Sequence, residues 1–157
     1  MFRSFVLAAL PGFFCLSCQS TASTAANSPA TANRLPTPAA ALFETRWVVR
    51  QLGSQHVTVP AGGQEPYLLL RRAGAAEGQG SCNRFRSSAF TDSTSTLTFT
   101  PLLSTRMACP AIATEQSFTQ ALAATHSYRI SGDTLRLYAA PTPTATPLAR
   151  LEAVYLR

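Results

Sequence analysis

The chain has 157 residues, 46% of them hydrophobic, and its 13 basic against 7 acidic residues leave a formal net charge of +6 at pH 7. That hydrophobic share excludes a wholly disordered chain, and the length allows one cored domain besides terminal segments. Every basic residue is an arginine, and they stand singly or in pairs (Arg46, Arg50, Arg71-Arg72, Arg84, Arg86, Arg106, Arg129, Arg136). Without a basic tract or a nucleic-acid motif, this dispersal reads as a solvated surface rather than a dedicated anion site and argues against nucleic acid as a partner.

Arg3 is the only charge before Cys18, and it precedes an apolar run from Phe5 to Leu16. This is the order of a secretory signal. The run is shorter than the roughly 20 apolar residues of a spanning helix, and Pro11-Gly12 would break one. Leu16-Ser17-Cys18 resembles a bacterial lipobox, with Cys15 standing where the pattern favours Leu. On that reading residues 1–18 are a signal peptide ending in a lipidated Cys18. Ordinary cleavage among the small residues from Thr21 to Ala26 is the alternative and would give a secreted protein. Both readings put the mature domain outside the cytoplasm, in the cell envelope, and Gln19 after the cysteine mildly favours the outer membrane. Residues 19–41 are Ser, Thr, Ala, Pro and Asn with little else, too polar and small to offset ordering entropy, so they form a disordered linker.

Residues 42–157 then carry the domain. Trp47-Val48-Val49-Arg50-Gln51-Leu52 ending at Gly53, and Tyr67 to Arg71 after a Pro- and Gly-rich turn, read as strands. Ala89 to Thr96 reads as a polar loop, and Leu97-Thr98-Phe99-Thr100 resumes alternation. Ile112, Glu115, Phe118, Leu122 and Thr125 recur at helical steps among alanines, with Pro110 placed for a first turn, which predicts one amphipathic helix. His126 to Ile130 and Leu135 to Tyr138 flank Ser131-Gly132-Asp133 as a hairpin, and Leu148 to Leu156 offers a last strand. The fold class is mainly β, an antiparallel sheet covered by the Ile112-Phe118-Leu122 stripe of the helix, with Trp47, Phe99, Phe118, Leu122 and Leu137 in the core.

Several islands in fixed order resemble the META domain family, shared with HslJ-like heat-inducible envelope lipoproteins. They are Trp47; Gly80-Ser81-Cys82-Asn83-Arg84-Phe85; Leu97-Thr98-Phe99; Thr105-Arg106-Met107-Ala108-Cys109-Pro110; Glu115, Phe118 and Leu122; and Tyr128 to Leu137. The sequence departs from the family at Ser81, where a second glycine usually precedes Cys-Asn, and before Leu97, where the usual Gly-x-Tyr is missing. The resemblance implies a barrel-like or half-barrel sheet with one packed helix, no established catalytic residues, and a loose association with envelope stress and antibiotic tolerance.

Cys82 and Cys109 lie in no Cys-x-x-Cys and have no histidine nearby in sequence. An even count of two in an exported domain favours a structural disulfide over free thiols. Such a bond would bring Asn83 and Arg84 to Thr105 and Arg106, either as a polar patch for a carboxylate or phosphate or, the favoured reading, as buried polar groups satisfying backbone while the arginines are solvated. His56 and His126 are unclustered, Gly78-Gln79-Gly80 lacks the pattern of a dinucleotide loop, and no Ser/His/Asp set stands out, so neither metal, cofactor nor catalysis is expected. The expected function is a non-enzymatic envelope lipoprotein module that binds an envelope protein or component, held to the membrane by its N-terminal lipid. A small β-barrel inhibitor of an envelope-targeting hydrolase, with Arg84-Phe85-Arg86 as its tip, and a carrier of small hydrophobic ligands are the alternatives.

Cys18→Ser is expected to release the protein from the membrane fraction, read by fractionation and intact mass. A variant that stays membrane-bound with the mass of the wild type would refute lipidation there.

Overall fold

Apolar residues alternate in phase along most strands, which decides the face each strand buries. The computed structural model describes residues 38–59, 61–92, 95–143 and 146–155. The predicted leader, Cys18 and the linker as far as residue 37 lie outside them. The elements are β1 (Arg46–Leu52), β2 (Gln55–His56), β3 (Tyr67–Leu70), β4 (Ala75–Gln79), β5 (Arg84–Thr91), β6 (Leu97–Phe99), β7 (Leu103–Ser104), α1 (Ile112–Ala123), β8 (Ser127–Ser131), β9 (Thr134–Tyr138) and β10 (Ala149–Val154).

The strands form one antiparallel 10-stranded sheet in the order β6-β5-β4-β3-β1-β10-β9-β8, with β2 added to β1 and β7 to β5. A bulge between Val49 and Gln51 bends β1 where it pairs β10. The two ends of this order almost meet. Thr96 bridges Ser127, the Leu97 amide donates to the His126 carbonyl at 3.1 Å, and the Tyr128 amide donates to the Ser95 carbonyl at 2.9 Å. The result is a nearly closed barrel-like sheet, mostly β, with one helix.

Its interior is filled by side chains. Trp47, Leu68, Leu70, Leu97, Leu135, Leu137 and Leu151 are fully buried, and α1 adds Phe118 and Leu122. The Phe118 ring meets Phe85 edge-on, centroids 5.8 Å apart at 76°, a favoured aromatic geometry. The Trp47 indole N–H donates to the Leu42 carbonyl at 3.0 Å, so the largest core ring leaves no polar atom unpaired.

Five sequence expectations need revising. Ala40, placed in the linker, is buried, and its amide donates to the Gly132 carbonyl at 3.0 Å, so the packed domain begins before Leu42. Ala89 to Thr91 is strand rather than loop, because β5 runs on to pair β6. Phe99 packs against the core only partly buried. Ile112 is 37% exposed, whereas Glu115, Phe118, Ala121 and Leu122 face inward, so the covering stripe starts one turn later and includes a carboxylate. Pro110 precedes the cap residue Ala111 and lies outside the helix.

Phe118→Ala should destabilise the domain by about 3–5 kcal/mol, since it empties a fully buried aromatic site. Chemical denaturation measures this, and a loss below about 1 kcal/mol would mean that the helix does not close the core.

Candidate functional site

The two cysteine islands meet at one mouth of the barrel, where the β4–β5 turn (residues 80–83) lies against the segment entering α1. Cys82 and Cys109 are disulfide-bonded, Cα atoms 6.0 Å apart across a sequence separation of 27. Beside the bond is a buried carboxylate. Glu115 Oε2 accepts the amides of Cys82 (3.1 Å) and Asn83 (2.7 Å), and Oε1 accepts the Asn83 side-chain Nδ2 (2.9 Å). Asn83 Nδ2 also donates to the Met107 carbonyl (3.0 Å), while Oδ1 accepts the Met107 amide (2.7 Å) and the Thr105 hydroxyl (2.9 Å). Both donors and both lone pairs of the Asn83 amide are therefore used.

The local sequence makes room for this arrangement. A Cβ on Gly80 would stand 2.5 Å from the Glu115 Cγ, so only glycine lets the helix approach so closely. Ser81, where the family usually has glycine, still adopts φ 130 and is buried. The backbone shape that glycine would favour is kept, at a strain of about 1–3 kcal/mol.

Of the four residues expected around the disulfide, the structure brings Asn83 and Thr105 into one hydrogen-bonded unit. Arg84 and Arg106 are exposed and separate. Arg84 lines a groove of about 600 Å³ with Tyr67, Glu77, Arg86 and Leu103. Arg106 lines a second, also about 600 Å³, with Leu103, Met107 and Ile112. The ion pairs of the described residues use Arg50, Arg71 and Arg150 instead. Arg84-Phe85-Arg86 is no loop tip: it lies in β5, with Phe85 2% exposed. Sequence reasoning missed the role of Glu115. The available signal was a carboxylate in phase with Phe118 and Leu122, since a charge on a buried stripe requires partners.

Nothing in this unit has the layout of a reaction centre. Its carboxylate is occupied by amides, its cysteines by each other, and no group of His, Cys, Asp or Glu among the described residues could hold a metal ion. What the arrangement does is fix a surface. Met107 is pinned through both its amide and its carbonyl while its side chain stands 65% exposed, beside Leu103 at 77%.

Comparison with known proteins agrees with this architecture. A family model described as META domain matches residues 40–153. A protein from Burkholderia xenovorans solved by NMR is similar with a TM-score of 0.56 and 24% identity, covering 72% of this chain and 83% of that one. At that identity the likeness speaks for the fold. No curated protein matches the chain.

Glu115→Ala strands the buried Asn83 amide and the half-buried Cys82 amide and removes one of the two acceptors of Asn83 Nδ2, so a loss of about 3–5 kcal/mol is expected, with Glu115→Gln losing less because one acceptor remains. Replacing both Cys82 and Cys109 by Ala should lower stability by about 3–4 kcal/mol, mainly through the unfolded chain. The backbone amide spectrum of the Cys variant should stay native, whereas that of Glu115→Ala should shift throughout residues 80–109. Indistinguishable spectra would contradict the division of labour.

Proposed function

The chain belongs to the META domain family, and from that premise we propose that it is a non-enzymatic binding module of the cell envelope, docking an envelope protein through the surface around Leu103, Met107 and Ile112. The family is non-catalytic, which supports the absence of chemistry in this reading. The order of Arg3, the apolar run and Leu16-Ser17-Cys18 supports export and an N-terminal lipid. A disulfide between Cys82 and Cys109 is consistent with an oxidising compartment. A role in stress or antibiotic tolerance would follow from whichever envelope partner is held.

One observation carries the docking surface. Met107 has a fixed main chain and a free apolar side chain, the preorganised state that lowers the entropy lost on association. Leu103 and Ile112 extend the apolar area, and Arg106 supplies a cation at the rim of the same groove. An apolar centre with a charged rim is the usual anatomy of a protein interface. The filled interior leaves less support for a carrier of hydrophobic ligands, and the strand conformation of Arg84-Phe85-Arg86 less for an inhibitor tip.

Leu103→Asp combined with Met107→Asp should abolish the species that the wild type cross-links in envelope extract, without lowering Tm, because both side chains are already in solvent. An unchanged cross-linking pattern would overturn this surface as the docking site.

A further inference from the structure

The outer face of β8, β9 and β10 carries an arginine from each strand in direct cross-strand register. Arg129 is opposite Arg136, and Arg136 is opposite Arg150. Leu135, Leu137, Ala149 and Leu151 occupy the inward phase of β9 and β10 and are buried, which puts Arg136 and Arg150 outside; Arg129 is exposed. Directly opposed residues have Cβ atoms about 4.5–5.5 Å apart, so the three arginine side chains leave the sheet as neighbours. Like charges in that position are unfavourable.

The acids around the ladder do not neutralise it. Glu152, on the same face of β10, gives Oε2 to Arg50 Nε at 3.2 Å and reaches Arg150 Nη2 with Oε1 at only 3.7 Å. Asp133, in the β8–β9 turn, accepts the Tyr155 hydroxyl at 2.7 Å. Even granting Glu152 wholly to the ladder, three cations face one carboxylate. Arg150 keeps its side chain 42% exposed, and its covered Nε has no hydrogen-bond partner among the described residues.

We propose that Arg129, Arg136 and Arg150 form an oxyanion site for a phosphate group. A carboxylate has two oxygens and one charge, and a single guanidinium fork satisfies it. A phosphate monoester carries about −1.5 to −2 charge at pH 7 and three terminal oxygens, which suits several guanidiniums at sheet spacing. The dispersed arginines of the sequence thus become a cluster, because residues 129, 136 and 150 fall in one row when β8, β9 and β10 pair. This site lies on other strands than the Leu103 and Met107 surface and does not depend on that surface's role.

The test uses the full chain with Cys18→Ser, so that a covalent lipid cannot report in place of the ladder. One arm measures Tm with inorganic pyrophosphate against acetate at equal ionic strength. The other measures co-sedimentation with phosphatidic acid, whose headgroup is a phosphate monoester, against phosphatidylcholine vesicles. Pyrophosphate should raise Tm where acetate does not, and Arg129→Gln combined with Arg136→Gln should weaken the effect at least about tenfold, the scale expected for losing charged hydrogen bonds. If phosphatidic acid alone gives ladder-dependent binding, the phosphate is a lipid headgroup. The ligand-free double variant should melt no lower than wild type, because it removes repulsion. Should it unfold, Arg129→Gln alone, at an exposed position, gives the same comparison. Binding in neither arm, or binding that the variants leave intact, overturns the site.

Discussion

A single buried carboxylate organises the mouth of the barrel. Burying an ionised group away from water is costly unless it is fully hydrogen-bonded, and Glu115 receives two backbone amides and the Asn83 side chain. The dependence runs outward from there. The β4–β5 turn is held to the helix by those amides, Asn83 holds Met107 on both sides, and Thr105 closes the unit through its hydroxyl. The disulfide crosses the same junction but acts differently. It restricts the unfolded chain, whereas the carboxylate stabilises one native geometry. Local order near Met107 therefore comes from Glu115 and Asn83, with the covalent bond adding global stability.

The same carboxylate shows where sequence reading reached its limit. The helix was legible because its alanines and three- and four-residue steps are strong signals, and the β8–β9 hairpin because Gly132 supplies the φ of +56 that its turn requires. The phase of the helix was not. Hydrophobicity favours Ile112 over Glu115 on the inner face, yet the amides of the β4–β5 turn reverse that order, since they lie covered in another segment and need an acceptor. β4, with the sequence AAEGQ, has little intrinsic preference for a strand. It is made one by β3 and β5 on either side, which pair with it throughout. Gly78 belongs there because the Phe85 ring lies 2.6 Å from where its Cβ would be.

Ser81 separates backbone shape from residue type. A family pattern with glycine at this place suggests that the positive φ is the requirement and glycine its easy solution. The chain keeps φ 130 with a serine, which means that the surrounding contacts over-determine the turn. Those contacts are visible: the Gly80 amide donates to the Asn83 carbonyl at 2.7 Å, and the Ser81 carbonyl accepts the Gln64 amide at 2.9 Å. Strain held in this way argues for a turn whose exact course matters to what it presents, here Asn83 and through it Met107.

The charge distribution follows from how the acids are used. Glu44 and Glu77 bind Arg71, Glu65 and Glu152 bind Arg50, Glu115 is buried, Asp133 takes the Tyr155 hydroxyl, and Asp92 accepts the Thr96 amide. The Arg71 guanidinium, with the Arg72 amide, holds the Glu44 carboxyl below its usual range, while Asp133 accepting from the Tyr155 hydroxyl raises the phenol. With each acid engaged locally, the excess of arginine has no counterpart and must appear as surface potential. The sheet then decides where. Its period of two sends Arg84 and Arg86 to the outer face of β5, and its register aligns Arg129, Arg136 and Arg150 across three strands. A charge excess that is diffuse along the chain is therefore concentrated by strand pairing, and recognition of an anionic group becomes a property of the fold that neither composition nor residue order displays.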